Sequence, residues 1–217
     1  MLYLLGMDIT YIIAILIIIL ISMTVHEAIH AYVGYWLGDH TAKQEGRLTL
    51  NPIAHIDPFL TLLLPVILAL TGAPIFGGAK PVPFNPMNLR YGDFGPALVA
   101  IAGPLTNLVL AFLAFMVYAI LGAPTGLYGG FISLFITVNL GFFIFNMLPI
   151  PPLDGSRVLY AFAPEAARRV MEMIEQYGII FVFILIMLFS KYIGAFMSTG
   201  ISFFLDLFGA LFGIRVV

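Results

Sequence analysis

Residues 12–32 read IIAILIIILISMTVHEAIHAY. An apolar run fit for a bilayer passes without a break into His26, Glu27 and His30. The whole apolar segment covers about Ile9–Leu37, enough to cross a membrane with some tilt. An ionisable group at such depth costs at least a few kcal/mol unless it is solvated or paired. Three of them within five residues therefore ask for a common partner. On a helix His26 and His30 stand about 40° apart around the axis and one turn apart along it, with Glu27 about 60° from His30. Two imidazoles so placed can ligate one Zn²⁺, and Glu27 can reach a water on it. Histidines that merely join helices by hydrogen bonds would leave Glu27 unexplained.

The composition agrees with a membrane environment. Of 217 residues, 62% are hydrophobic and 9% charged, and the mean hydropathy is +1.09. Soluble domains carry about 25% charge, so the class is an all-α polytopic membrane protein whose main partner is the lipid bilayer. A net charge of −2 gives no basic surface for nucleic acid. With no cysteine, disulfides and thiolate sites are excluded, and a metal must rest on His, Asp or Glu. No Lys or Arg precedes the first apolar run, so that run is expected to be a retained span rather than a signal peptide.

Outward from the first span, a polar stretch (about Thr41–Asp57) leads to a short apolar piece, Pro58–Leu70, interrupted by Pro65. The stretch Phe76–Gly95, FGGAKPVPFNPMNLRYGDFG, is too rich in Gly, Pro and Asn for a regular helix. Further spans are expected at about Pro96–Leu121 and Phe131–Leu148, joined by an uncharged turn, Gly122–Gly130. An interfacial helix is expected over Val158–Tyr177, then two apolar pieces, Gly178–Ser190 and Ala195–Ile214. The total is about five to six transmembrane or re-entrant helices with a small Gly/Pro-rich extended, β-like segment. Short loops interlock the spans, so residues 1–217 read as one domain, with a core at about 7–157 and C-terminal helices at about 158–217. Lys43, Arg47, Lys80, Arg90, Arg157, Arg168 and Arg169 all fall in three of the connecting segments, which the positive-inside rule places in the cytoplasm. His26–His30 and Asp154 then both lie toward the cytoplasmic end of their spans.

A catalytic zinc keeps three protein ligands and one open position. After His26 and His30 the remaining candidates are His40, His55, Asp8, Asp39, Asp57, Asp93, Asp154, Asp206 and the glutamates. Asp154 stands out. It follows a proline-broken stretch, NMLPIPPL (Asn146–Leu153), and such breaks at membrane depth are tolerated where they line a cavity. The plainer reading of Asp154-Gly155 is a turn, and the matching depth of the histidines favours the ligand. Other residues have equally plain readings. His40 ends a helix in solvent, Tyr35 and Trp36 are interfacial anchors, Asn107 is polar glue between helices, and Asn51-Pro52 and Asp57-Pro58 are turn chemistry.

Five motifs occur in order: HEAIH (His26–His30), NPIAHIDP (Asn51–Pro58), GGAKPVP (Gly77–Pro83), AGPLTN (Ala102–Asn107) and NMLPIPPLDG (Asn146–Gly155). Together they resemble the site-2 protease family of intramembrane zinc metalloproteases, in its short prokaryotic form without PDZ or CBS domains. The resemblance covers about Met7–Arg157. It implies one zinc per chain on His26, His30 and Asp154, with Glu27 as the catalytic acid and base. It also implies a transmembrane helix of another membrane protein as substrate, and a prokaryotic cytoplasmic membrane as location. Asn146 is a candidate donor to the reaction's oxyanion. His55, Lys80 and Asn107 are candidate supports of the site, and the Gly/Pro segment is a candidate edge for an unwound substrate. The competing reading is a metal transporter that uses the same His/Asp site. It has little need of Glu27, and no repeated halves are seen.

Overall fold

The computed structural model describes residues 9–64, 67–68 and 78–214. Apolar composition and helix propensity make α1 (Ile9–Trp36), α3 (Phe94–Ile120), α4 (Gly126–Asn146) and α7 (Gly178–Phe212) the long elements. All four are long and apolar enough to cross a membrane. Between α1 and α3 lie a short helix α2 (Thr41–Gln44), a 3₁₀ turn at Pro52–His55, a π-helical turn at Pro58–Leu63 and a 3₁₀ turn at Pro86–Asn88. Asn51, Asp57 and Asn85 start the last three, each accepting backbone N–H bonds just before a proline, as expected of N-caps with proline in the first turn.

Helix α3 is central and packs against α1, α4, α7 and the short helix α5 (Asp154–Phe162). Away from the site, Ala111 and Phe115 of α3, Ile136 and Leu140 of α4 and Phe208 of α7 form a buried cluster. There Phe115 meets Phe208 edge-on at 5.6 Å between centroids, an arrangement favoured by the ring quadrupoles.

Several sequence expectations change. The expected interfacial helix is two amphipathic helices, α5 and α6 (Glu165–Glu175). The break falls at Ala163-Pro164, where Ala163 is extended (ψ 142°), because a residue before proline is driven out of helical geometry. The two C-terminal apolar pieces follow one another in α7 without a loop and remain two helical stretches that meet at a kink at Phe189 (φ −119°, ψ 18°). A straight 35-residue helix would measure about 52 Å, well beyond the roughly 30 Å hydrocarbon core. Lys191 lies just past the break and is exposed. The expected β-like segment is not a strand among the described residues: Gly78–Asn85 has no regular secondary structure. It is tied down nonetheless. Gly78 N–H donates to Leu60 O (3.1 Å), Lys80 N–H to His55 O (2.9 Å), and Thr61 Oγ1 to Gly78 O (2.7 Å). Of the expected re-entrant piece, the described part is the π turn and residues 64, 67 and 68; Pro65 and Leu70 lie outside the described residues, as do Asp8 and Gly77.

The connection after α1 docks through one carboxylate. Asp39, 1% exposed, accepts from Thr41 N–H (3.2 Å) and Thr41 Oγ1 (2.7 Å), Asn85 N–H (2.8 Å) and Asn88 Nδ2 (3.1 Å). Burial pushes its pKa up, but the bonds from Thr41, Asn85 and Asn88 outweigh this and hold it below the usual carboxylate range.

Candidate metal centre

Three residues on one face of α1, Ser22, His26 and His30, meet three on one face of α3, Val99, Gly103 and Asn107. Both sets repeat every four residues, the spacing that keeps side chains on one helix face. His30 Nδ1–H donates to the Val99 carbonyl (2.7 Å), and His26 Nδ1–H to Asn107 Oδ1 (2.6 Å). With both Nδ1 atoms protonated, both Nε2 lone pairs face the same point, the orientation a metal-bound histidine needs. Between them sits Gly103. A Cβ there would lie 2.4 Å from His30 Nε2 and 2.7 Å from His26 Nε2, so only glycine lets α3 pass this close to the imidazoles.

The third group arrives from the end of α4. After Asn146 the chain turns through Leu148–Leu153 and starts α5 at Asp154. A Cβ on Gly155 would lie 2.4 Å from Met147 O and 2.7 Å from Leu148 O. Glycine thus allows α5 to begin hard against the end of α4, with Asp154 aimed at the histidines. The donor atoms form a triangle: His26 Nε2 to His30 Nε2, 3.0 Å; His26 Nε2 to Asp154 Oδ2, 3.2 Å; His30 Nε2 to Asp154 Oδ2, 3.5 Å. A tetrahedral zinc with bonds of about 2.0–2.1 Å has ligand-to-ligand edges of about 3.3 Å. The triangle therefore fits one face of such a site and is compatible with one zinc. Both histidines are buried, and Asp154 and Glu27 half-buried.

The remaining predicted residues lie around this triangle in different ways. Asn107 is fully buried and touches His26 directly. Asn146 is half-buried at the end of α4 and donates one amide N–H to Phe142 O (3.0 Å). His55 is fully buried and outside the three-donor group; its Nε2–H donates to Thr49 O (2.9 Å) and its Nδ1 has no partner among the described residues. The Lys80 side chain is exposed, while its carbonyl accepts from Arg47 Nη2. Arg47 is 3% exposed, and its Nε and Nη1 have no hydrogen-bond partner among the described residues.

Sequence reasoning missed Ser22, Val99, Gly103, Arg47 and Asn139. Ser22 and Asn139 did carry a signal, since polar groups in apolar spans demand partners. Val99 contributes a backbone carbonyl, which no residue type announces. A cavity of 420 Å³ also opens between residues 86–96 and helices α5 and α6, lined in part by Met87, Asp93, Pro151, Ser156, Arg157 and Tyr160. It includes neither histidine nor Asp154, so it neighbours the metal centre without being part of it.

Fold and site together define a multi-pass membrane protein with a His-His-carboxylate group, its histidines on the spanning helix α1 and its Asp154 at the start of α5. Comparison with known proteins is consistent with this. Residues 123–190 match the model described as Peptidase family M50. A Bacillus subtilis (strain 168) protein named "Putative zinc metalloprotease YwhC" is 41% identical over 208 residues, covering 89% of this chain and 90% of its own. A Mycolicibacterium smegmatis protein named "Putative zinc metalloprotease Rip2" is 33% identical over 77% of this chain and 64% of its own. A Methanocaldococcus jannaschii protein named "Putative zinc metalloprotease MJ0611" is 48% identical over 28% of this chain and 31% of its own. No solved structure matches the chain. The chain belongs to peptidase family M50, the site-2 protease family, and is a peptidase of the metalloprotease type.

Proposed function

We propose that this protein is an intramembrane endopeptidase that cuts transmembrane segments of other membrane proteins, with His26, His30 and Asp154 holding one zinc. The observation that carries this reading is the donor triangle, buried among helices fit to span a membrane and adjoining a carboxylate, Glu27. Zinc bound there would supply Lewis-acid polarisation of the scissile carbonyl and a water acidic enough to lose a proton near neutral pH. Glu27 takes the proton of the attacking water and later delivers one to the leaving amine. Asn146 retains a second amide N–H with which to meet the developing oxyanion. Asn107 and Val99 keep the two imidazoles turned the right way.

A transmembrane substrate hides its carbonyls in its own helix and must unwind before attack. The tethered segment Gly78–Asn85 offers the unwound stretch a backbone to pair with. Arg47 and His55 hold that segment in place through the Lys80 carbonyl and N–H. The site faces the cytoplasmic side on the positive-inside reading of the Lys and Arg positions, the resemblance to the short prokaryotic form supports a prokaryotic cytoplasmic membrane, and the whole chain acts as one domain. The comparisons lend no support to the transporter reading. A purified detergent preparation with a tagged model transmembrane peptide tests the proposal. Wild type is expected to cut the peptide, and Glu27→Gln to keep zinc without cutting. Equal cleavage by Glu27→Gln would remove Glu27 from the chemistry.

A further inference from the structure

A second buried amide stands behind the metal centre. Asn139 of α4 has no exposed surface, although its neighbours Val138 and Leu140 are apolar. Every polar atom of its side chain is used. Its Nδ2 donates to Phe135 O (2.9 Å) and to Ser22 Oγ (2.9 Å), and its Oδ1 accepts from Asn107 Nδ2 (2.9 Å). A chain of bonds therefore runs from α4 through α3 to His26 on α1.

The chain has a direction, and one backbone atom sets it. The Phe135 carbonyl can only accept, so the Asn139 nitrogen must face it. The Asn139 oxygen then faces Asn107, which turns the Asn107 nitrogen toward Asn139 and the Asn107 oxygen toward His26. That oxygen admits only the Nδ1–H tautomer of His26, which leaves Nε2 as the free lone pair. Among the described residues, the one other anchor on the Asn107 amide is the long bond from Nδ2 to Ser22 O, at 3.4 Å, near the limit at which a hydrogen bond still orients its partners. We propose that Asn139 is a positioning residue for the metal centre: it fixes the orientation of Asn107 and through it the tautomer and tilt of His26. This rests on the reading of His26, His30 and Asp154 as a zinc site. Simple helix-to-helix glue would explain the burial of Asn139 but makes no demand on which way its amide points.

The test compares full-length wild type, Asn139→Ala and Ser22→Ala. Zinc affinity is read by competition with a chelator, and the visible spectrum is recorded after cobalt substitution. The account expects Asn139→Ala to bind zinc about 10-fold more weakly and to show altered cobalt bands. Ser22→Ala leaves the Phe135 bond intact and should stay near wild type. If Asn139→Ala does not fold, Asn139→Ser takes its place: its hydroxyl can bond Phe135 O but cannot reach Asn107. Wild-type affinity and spectrum in a folded Asn139→Ala or Asn139→Ser protein would overturn the proposal. Absence of zinc from wild type would instead sink the reading of the metal centre itself.

Discussion

Asn107 Oδ1 lies 2.6 Å from His26 Nδ1, on a residue with no exposed surface. The contact spans two transmembrane helices and decides which imidazole nitrogen is left for a metal. Replacing a group that orients a metal-bound histidine costs about 10–100-fold in affinity. Asn107→Ala is expected to fall in that range, and Asn107→Asp, which keeps an acceptor toward His26, to lose less. Chelator competition on the two purified variants checks the order. Equal losses would mean that the contact acts through packing alone.

Gly103→Ala provides a steric probe of the same face. The added methyl would stand 2.4 Å from His30 Nε2 and 2.7 Å from His26 Nε2. Neither ring can retreat without giving up its Nδ1 bond to Val99 or Asn107. The cost is about 1–3 kcal/mol of stability, as for other overpacked cores, together with loss of zinc. A thermal melt and a zinc assay on one preparation check both, and unchanged zinc affinity would contradict the close approach of α3 to the site.

What could be read beforehand follows from the range of each interaction. His26, Glu27 and His30 share one helix, so their relation needs only the helical repeat. Asp154 lies far along the chain and is reached through depth, because charge placement orients both spans the same way. Val99, Gly103 and Asn139 matter through the register of three helices, and composition does not encode how one helix slides past another. The C-terminal pieces read as two because Lys191 interrupts their apolar pattern, and the kink of α7 falls two residues before it, at Phe189.

Asp39→Asn tests the dock between the end of α1 and residues 85–88. The Asp39 carboxylate accepts four hydrogen bonds, and bonds to a charged group are worth about 1.5–3 kcal/mol each when formed singly. Its folded pKa is lowered, so its stabilisation is fully present above the unfolded value of about 3.9. That stabilisation is lost as pH falls below this value toward the folded pKa. Asp39→Asn should therefore melt below wild type at neutral pH, and the gap should narrow below about pH 4. A gap that persists unchanged in acid would assign the loss to shape rather than charge.

Arg47→Met separates holding a segment from holding the fold. Arg47 is buried with two guanidinium nitrogens, Nε and Nη1, unpartnered among the described residues, and replacing buried charged groups by apolar side chains of similar size is often close to neutral. The variant should keep its zinc and most of its thermal stability. It frees the Lys80 carbonyl, and if Gly78–Asn85 receives substrate, kcat/KM should fall on the order of 10-fold through misplacement. Unchanged kcat/KM would remove Arg47 from substrate handling.

The central claim is that His26, His30 and Asp154 hold the metal and Glu27 moves the proton. Its most direct test is zinc content and peptide cleavage measured together on wild type, Glu27→Gln and Asp154→Ala. The account predicts about one zinc per chain in wild type and in Glu27→Gln, and cleavage lowered by roughly 10²-fold or more in Glu27→Gln. It predicts zinc weakened or lost in Asp154→Ala. Full zinc and full cleavage in Asp154→Ala would contradict it, because the triangle would then lack its third corner.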